Sequence, residues 1–114
     1  MGHESFGPGM LRALAVPGIQ ETNGRDIGSI KVRIKLSDMS SHSAWYIHEA
    51  NHGDGTCFGW VVRDRDGKGP EGMLEYFQLK ELNRAQGRWG ISIKRSKTWN
   101  PQTSLSEVME GRVE

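Results

Sequence analysis

The sequence predicts a small α+β domain, built on a mainly antiparallel sheet of four or five strands with short helices on one side. Strand-like segments follow one another across connections too short for parallel crossovers. Helical spacing appears only in brief stretches. The 15 glycines among 114 residues also favour short elements joined by tight turns.

The N-terminal part contains a predicted leader, a short helix and the first strand. Residues 1–9 are expected to form a flexible leader ahead of a single domain over residues 10–114, because Gly7-Pro8-Gly9 interrupts regular structure. Helical spacing at residues 11–15 ends at Pro17-Gly18. Ile30 to Leu36 then alternates apolar residues with cations, which predicts a half-buried strand. Those cations, which either protect a sheet edge or form an anion-binding face, are Lys31, Arg33 and Lys35.

The remaining elements are predicted from β-rich and capped segments. Residues 44–49, 56–63 and 73–77 are rich in aromatic and β-branched residues and predict an antiparallel meander. A short helix is expected over residues 78–86 and a last strand over residues 91–95. A terminal helix should begin at a cap supplied by Thr103 or Ser104.

Composition limits the cellular setting. The net charge of +1 provides no overall attraction to nucleic acid or to anionic membranes. Cys57 is the single cysteine, so an intrachain disulfide is impossible and a reducing compartment is expected. No run approaches the ~20 apolar residues of a membrane span. We therefore expect a cytoplasmic protein without membrane contact.

The most conspicuous catalytic pattern is His48-Glu49-Ala50-Asn51-His52, which matches the H-E-x-x-H of zinc hydrolases. In those enzymes the motif lies on a helix, whose turn places both histidines on one face. Here the motif continues a β-rich segment and runs into Gly53, so a strand end is expected. On a strand, positions four apart are separated by ~13 Å and cannot share an ion. No metal or cofactor is predicted.

Two further patterns are also interpreted structurally. Asp64 to Gly69 partly matches a calcium-binding loop, but Lys68 stands where a ligand is required, so a charged hairpin tip is expected. Cys57 lies among apolar strand residues and is interpreted as a small core residue. Because no complete catalytic set is found, the protein is not expected to be an enzyme.

A basic and aromatic segment, residues 88–100, is the main candidate for partner binding. Cations neutralise phosphates while tryptophans stack on bases, so the segment suits single-stranded nucleic acid. Tryptophan and arginine are also enriched at protein interfaces. Alternatively, both tryptophans pack in the core. The predicted partner-binding residues are Arg88, Trp89, Lys94, Arg95, Lys97 and Trp99, together with Arg63, Arg65 and Lys68 of the 63–68 loop.

Several segments resemble a bacterial domain family of unknown function that is carried on plasmids, phages and integrative elements. The similarity rests on Trp45-Tyr46, on the Phe-Gly-Trp-Val of residues 58–61, on residues 74–82 and on the run from Gly90 to Arg95. It continues through Trp99, Pro101 and the Leu-Ser-Glu of residues 105–107, and covers roughly residues 10–109. Lys94, Ser96 and Glu75 depart from the family pattern. The resemblance implies a mobile-element origin and a small α+β fold, and it supplies no catalytic residues.

Three functional hypotheses follow. The first is a non-enzymatic binding protein of a mobile element, in the manner of an anti-CRISPR inhibitor that contacts a host defence complex. The second is an accessory protein that binds nucleic acid through the same residues. The third is a small zinc hydrolase using His48, Glu49 and His52. A host or mobile-element protein complex is therefore the expected partner.

Overall fold

A computed structural model of the chain describes residues 6–38, 40–86 and 92–112, which form three short helices and five strands. The strands form one sheet in the order β4-β3-β2-β1-β5. The elements in chain order are α1 (Pro8–Ala13), β1 (Ile34–Asp38), β2 (Ser43–Ala50), β3 (Thr56–Arg63), β4 (Glu71–Gln78), α2 (Leu79–Ala85), β5 (Ile93–Arg95) and α3 (Leu105–Met109).

Every strand pairing is antiparallel, which confirms the predicted fold class. β1 to β4 form a meander of consecutive neighbours. β5 returns to the opposite side of β1, where Leu36 pairs with Arg95. The segment predicted over residues 56–63 coincides with β3. β4 and β5 are the two edges of this sheet within the described residues.

The helices lie on both faces of the sheet, whereas one side was predicted. Consecutive strand residues point to opposite faces, and Tyr46 and Ile47 accordingly belong to different clusters of buried side chains. The cluster around Ile47 receives side chains from α1 and α2. We call it the Ile47 cluster, and it includes Leu11, Leu36, Leu79, Leu82 and Ile93. The Tyr46 cluster, which contains α3, includes Val32, Leu105 and Val108. Around β2, the two faces of the sheet are therefore covered by two separate small cores.

The described end of the predicted leader packs onto the domain. Phe6 is buried in the Ile47 cluster. Its backbone N–H donates to Asn83 Oδ1 at 2.8 Å, and its carbonyl accepts from Asn83 Nδ2 at 2.7 Å. Helix α1 begins at Pro8, where a proline suits the first turn because its missing N–H is not needed there.

The first strand begins later than its alternating pattern indicates. Ile30 and Val32 are buried as the alternation predicts. However, Lys31 forms an isolated bridge with Ser104 and the Val32 N–H donates to the Thr103 carbonyl at 2.8 Å. These bonds direct the segment to the chain before α3, so regular pairing with β2 starts only at Ile34.

Helix α3 begins at the cap residue that the sequence indicates. The Glu107 N–H donates to Ser104 Oγ at 3.2 Å, and the Ser104 N–H donates to Glu107 Oε1 at 3.0 Å. This reciprocal capping box satisfies two of the N–H groups left free at a helix start. With five to seven residues each, the helices in the described part of the chain are too short to cross a membrane.

Candidate partner-binding surfaces

The predicted partner-binding residues form two separate groups. Arg88 and Trp89 lie outside the described residues. Arg63, Arg65 and Lys68 lie at the β3–β4 hairpin, whereas the residues from 94 to 99 lie on and after β5. Because β2 and β1 separate β3 from β5 in the sheet, the two groups are about 14 Å apart across the strands. They therefore do not form one continuous surface.

The hairpin group is engaged in internal contacts. Arg65 Nη1 donates to the Glu71 carbonyl at 2.7 Å and Arg65 Nη2 to the Val61 carbonyl at 3.0 Å. Arg65 also forms an ion pair with Glu75, which in turn pairs with Arg63 at 2.8 Å. A single carboxylate thus partly neutralises both arginines, and they serve mainly to hold β3 and β4 together. Lys68 is exposed at the tip of the hairpin.

Trp99 is anchored to the core rather than presented to solvent. Its Nε1–H donates to the Val32 carbonyl at 2.8 Å. Its ring lies 5.5 Å from the Tyr46 ring, and the Lys35 ammonium lies 6.0 Å from the Trp99 ring centre. The structure thus supports the core alternative for most of this side chain, while leaving part of it accessible.

The second group borders a small cavity between β1 and the chain that follows β5. The cavity has a volume of about 150 Å³ and is lined by Leu14, Arg33, Ile34, Arg95, Ser96, Lys97, Trp99 and Pro101. We call it the cationic cavity, because three of these residues are basic and none is acidic. The predicted residues Arg95, Lys97 and Trp99 meet there with Arg33, which the sequence assigned only to the alternating row of cations. Lys94 is exposed on β5 but does not line the cavity.

Arg33 is half-buried, and one of its donors has no hydrogen-bond partner among the described residues. Arg33 Nη1 donates to the Pro101 carbonyl at 3.2 Å. Its Nε has no partner within the described residues, although it is buried. A buried donor left without a partner costs about 1–3 kcal/mol. The cationic cavity is therefore lined by a residue that keeps an unused donor.

Sequence reasoning missed a third surface, on the outer strand β4. Met73, Leu74 and Tyr76 are 48%, 41% and 58% exposed, which is unusual for large apolar side chains grouped on one strand. Leu74 pairs with Trp60 of the Tyr46 cluster, so Leu74 lies on the α3 side of the sheet and Met73 on the other. We call these three residues the β4 surface. A strand with one buried face alternates apolar with polar residues, so the two consecutive apolar residues Met73 and Leu74 could have indicated this surface from the sequence.

The H-E-x-x-H segment lies on β2 and its following turn, as predicted, and each of its functional side chains has a structural contact. The His48 ring lies 5.3 Å from the Phe58 ring. The Glu49 carboxylate accepts from the Gln20 N–H at 2.9 Å and from the Thr22 N–H at 3.1 Å. His52 Nε2 donates to the Val16 carbonyl at 2.6 Å. The segment thereby holds residues 16–22 against the end of β2.

The ionisation of this segment follows from burial and hydrogen bonding. Burial acts to raise the pKa of Glu49, but hydrogen bonds from the Thr22 hydroxyl and from the Gln20 and Thr22 amides, with the nearby His48, bring it below its ordinary value. Burial lowers the pKa of His48, opposed by the neighbouring Glu49 carboxylate. Both groups therefore favour an anionic carboxylate beside a neutral imidazole near neutral pH.

Cys57 is expected to be inert towards thiol reagents in the folded protein. Burial, with a contribution from Asp54, raises the pKa of its thiol to about 12. Since the thiolate is the reactive form, we expect alkylation at mildly alkaline pH to be roughly a thousandfold slower than in the urea-unfolded chain. Mass spectrometry of iodoacetamide-treated samples would measure both rates. Equal rates in the folded and unfolded chain would contradict this prediction.

The described residues contain no group of three or more His, Cys, Asp or Glu side chains able to hold a metal ion. Comparison of the chain with protein-family models, with curated proteins and with solved structures found no match. The candidate functional surfaces are therefore defined by the geometry of this chain alone.

Proposed function

We propose that this chain is a non-enzymatic binding protein that contacts a protein partner through the β4 surface. The observation that carries the proposal is the grouping of Met73, Leu74 and Tyr76 on an edge strand, each more than two-fifths exposed. Large apolar side chains exposed together favour an interaction site, because burying them against a partner removes their area from water.

The position of β4 favours recognition by strand addition. Among the described residues, β4 pairs only with β3, so no described strand covers its outer edge. A partner strand would pair with the backbone of β4, while its side chains would contact Leu74 and Tyr76 on one face and Met73 on the other. The hairpin cations Arg63 and Lys68 are exposed beside this edge and suit a polar rim around an apolar centre.

The resemblance to a mobile-element family supports a more specific form of this proposal. The partner would be a subunit of a host defence complex in the cytoplasm, inhibited by direct contact in the manner of anti-CRISPR proteins. Occlusion of a partner surface requires no catalytic group. A strand-addition mode would also suit a target that itself presents an open sheet edge.

We expect the double variant Leu74→Ser/Tyr76→Ser to lose binding to the partner while retaining its fold. Truncation of one hot-spot side chain costs about 2 kcal/mol or more, so affinity should fall by at least about thirtyfold if either residue is a hot spot. Affinity capture from nuclease-treated host lysate identifies the partner, and titration calorimetry with that purified partner measures the loss.

Ile27→Ser is a matched control, because Ile27 is 43% exposed but lies in the loop before β1. This variant should bind the partner as the wild type does. If the Leu74→Ser/Tyr76→Ser protein bound the partner with unchanged affinity, the β4 surface would not be the interface. Partners that disappear after nuclease treatment would instead favour binding to nucleic acid.

A further inference from the structure

We propose that the cationic cavity binds one phosphate-sized oxyanion. The site is separate from the β4 surface and the proposal does not depend on the function assigned to that surface. The ligand class is set by three features of the cavity: its charge, its prearranged donors and its size.

The cationic cavity contains positive charge that no described ion pair offsets, at Arg33 and Lys97. Arg33, Arg95 and Lys97 line it, and none of its described lining residues carries a carboxylate. Within the described residues, neither Arg33 nor Lys97 takes part in an ion pair. Like charges held close together repel one another, and a bound anion would convert that repulsion into attraction. Three cations, one just before β1 and two at and after the end of β5, thus favour an anionic ligand.

The donors are held in place by main-chain bonds. The Arg33 N–H donates to the Ile47 carbonyl at 3.0 Å and the Ser96 N–H to the Lys35 carbonyl at 2.9 Å, so both sides of the cavity are fixed to β1 or β2. The bond from Trp99 Nε1–H to the Val32 carbonyl fixes the aromatic wall. Arg33 Nε remains as a buried donor with no partner in the described part of the chain. A phosphate oxygen is a strong acceptor for such a guanidinium.

The size of the cavity excludes most larger ligands. Its volume of about 150 Å³ lies below the roughly 300–1,000 Å³ of sites that enclose a drug-sized molecule. It corresponds to about five waters, which suits a single phosphate group. A nucleotide or a nucleic acid could therefore insert one phosphate while its base and sugar remained outside.

The phosphate has two possible sources, free phosphate and the backbone of single-stranded nucleic acid. Titration of ¹⁵N-labelled protein with inorganic phosphate, against chloride at matched ionic strength, reports on the Ser96 and Lys97 amides and on Arg33 Nε–H. Anisotropy of a short labelled oligothymidine tests the second source. We expect saturable phosphate-specific shifts at these groups.

We expect Lys97→Gln to weaken phosphate binding by about tenfold, as the loss of one charge-assisted contact should. Lys94→Gln is the matched control, because Lys94 is an exposed cation on β5 that does not line the cavity. It should change the affinity by less than about twofold. Both residues are exposed, so both variants should fold, which the amide spectrum checks.

Two results together would identify the nucleic-acid backbone as the source: phosphate displaces the oligothymidine, and Lys97→Gln weakens the binding of both ligands. Phosphate binding without oligothymidine binding would identify a small phosphate and would equally support the site. The proposal is overturned if phosphate produces no shifts beyond those of chloride. It is also overturned if Lys94→Gln weakens binding as much as Lys97→Gln, because the attraction would then be diffuse.

Discussion

Glu49→Gln should lower the free energy of unfolding by about 3 kcal/mol near neutral pH, because hydrogen bonds to a buried charged acceptor are among the stronger ones. The Glu49 carboxylate accepts from two backbone N–H groups and from the Thr22 hydroxyl. An amide retains one acceptor oxygen and directs its NH₂ at remaining donors. Gln20, whose φ of 72° is uncommon for a residue with a side chain, would also lose its tether.

The same contacts predict how stability changes with acidity. The folded pKa of Glu49 lies below its ordinary value of 4.5. The unfolded chain therefore takes up this proton first, and the contribution of Glu49 is complete above that value and is lost as the pH falls through the folded pKa. Because the pKa of His48 is lowered in the folded protein, the unfolded chain binds a proton at this residue first. Stability therefore also falls as the pH drops below the ordinary histidine value of 6.5. The Glu49→Gln protein should lose the Glu49 part of the acid dependence and keep the parts due to His48 and to Asp54 and Glu107, whose pKa values hydrogen bonds also lower.

Urea unfolding followed by tryptophan fluorescence at several pH values measures both effects. Glu21→Gln makes the same chemical change one residue from Thr22, but at an exposed position, so it should alter stability by less than about 0.5 kcal/mol. If the acid dependence of the Glu49→Gln protein followed that of the wild type below pH 4.5, Glu49 would not be the group responsible.

Gly59→Ala should destabilise the protein by about 3 kcal/mol or more, because overpacking against rigid backbone cannot be relieved by rotamer changes. A Cβ at this position would overlap the Tyr46 carbonyl oxygen and lie 2.8 Å from the carbonyl carbon. Gly59 pairs with Ile47 immediately before the bulge at His48. Glycine here permits the close approach of β2 and β3.

Gly72→Ala provides the comparison. A Cβ there would overlap the Trp60 side chain, but that ring is only partly buried and can rotate away. We expect a cost of about 1 kcal/mol, within the usual range for point variants. Urea midpoints of both variants, together with their soluble yields, test the difference. Equal stability of the Gly59→Ala protein and the wild type would show that β2 and β3 can separate at this point.

The parts of the fold that depend on local pattern could be predicted, and those that depend on distant contacts could not. Strand β3 and the Ser104 cap are encoded within a few residues, by β-rich composition and by the Ser-x-x-Glu spacing. The start of β1 could not be predicted, because it depends on the pairing of Lys31 with Ser104, which is far away in the sequence. For the same reason, the sequence did not indicate that α3 lies on the opposite face of the sheet from α1 and α2.

The candidate sites show the same division. Residues 94–99 were identified from their basic and aromatic composition, yet Arg33 joins Arg95 and Lys97 only because β5 pairs with β1. Composition also cannot reveal that Glu75 partly neutralises Arg63 and Arg65. The exposure of Leu74 and Tyr76 depends on β4 being an edge strand. No local pattern specifies which strand of a meander will remain at the edge.

The position of β5 also determines when the domain can fold during synthesis. β1 receives its second neighbour only from residues 93–95, and the α3 face of the sheet is covered by Trp99, Leu105 and Val108. A nascent chain that ends before this segment holds four strands with Tyr46 uncovered and the outer edge of β1 unpaired. Such intermediates are prone to aggregation. Stable folding should therefore await synthesis of residues 93–108.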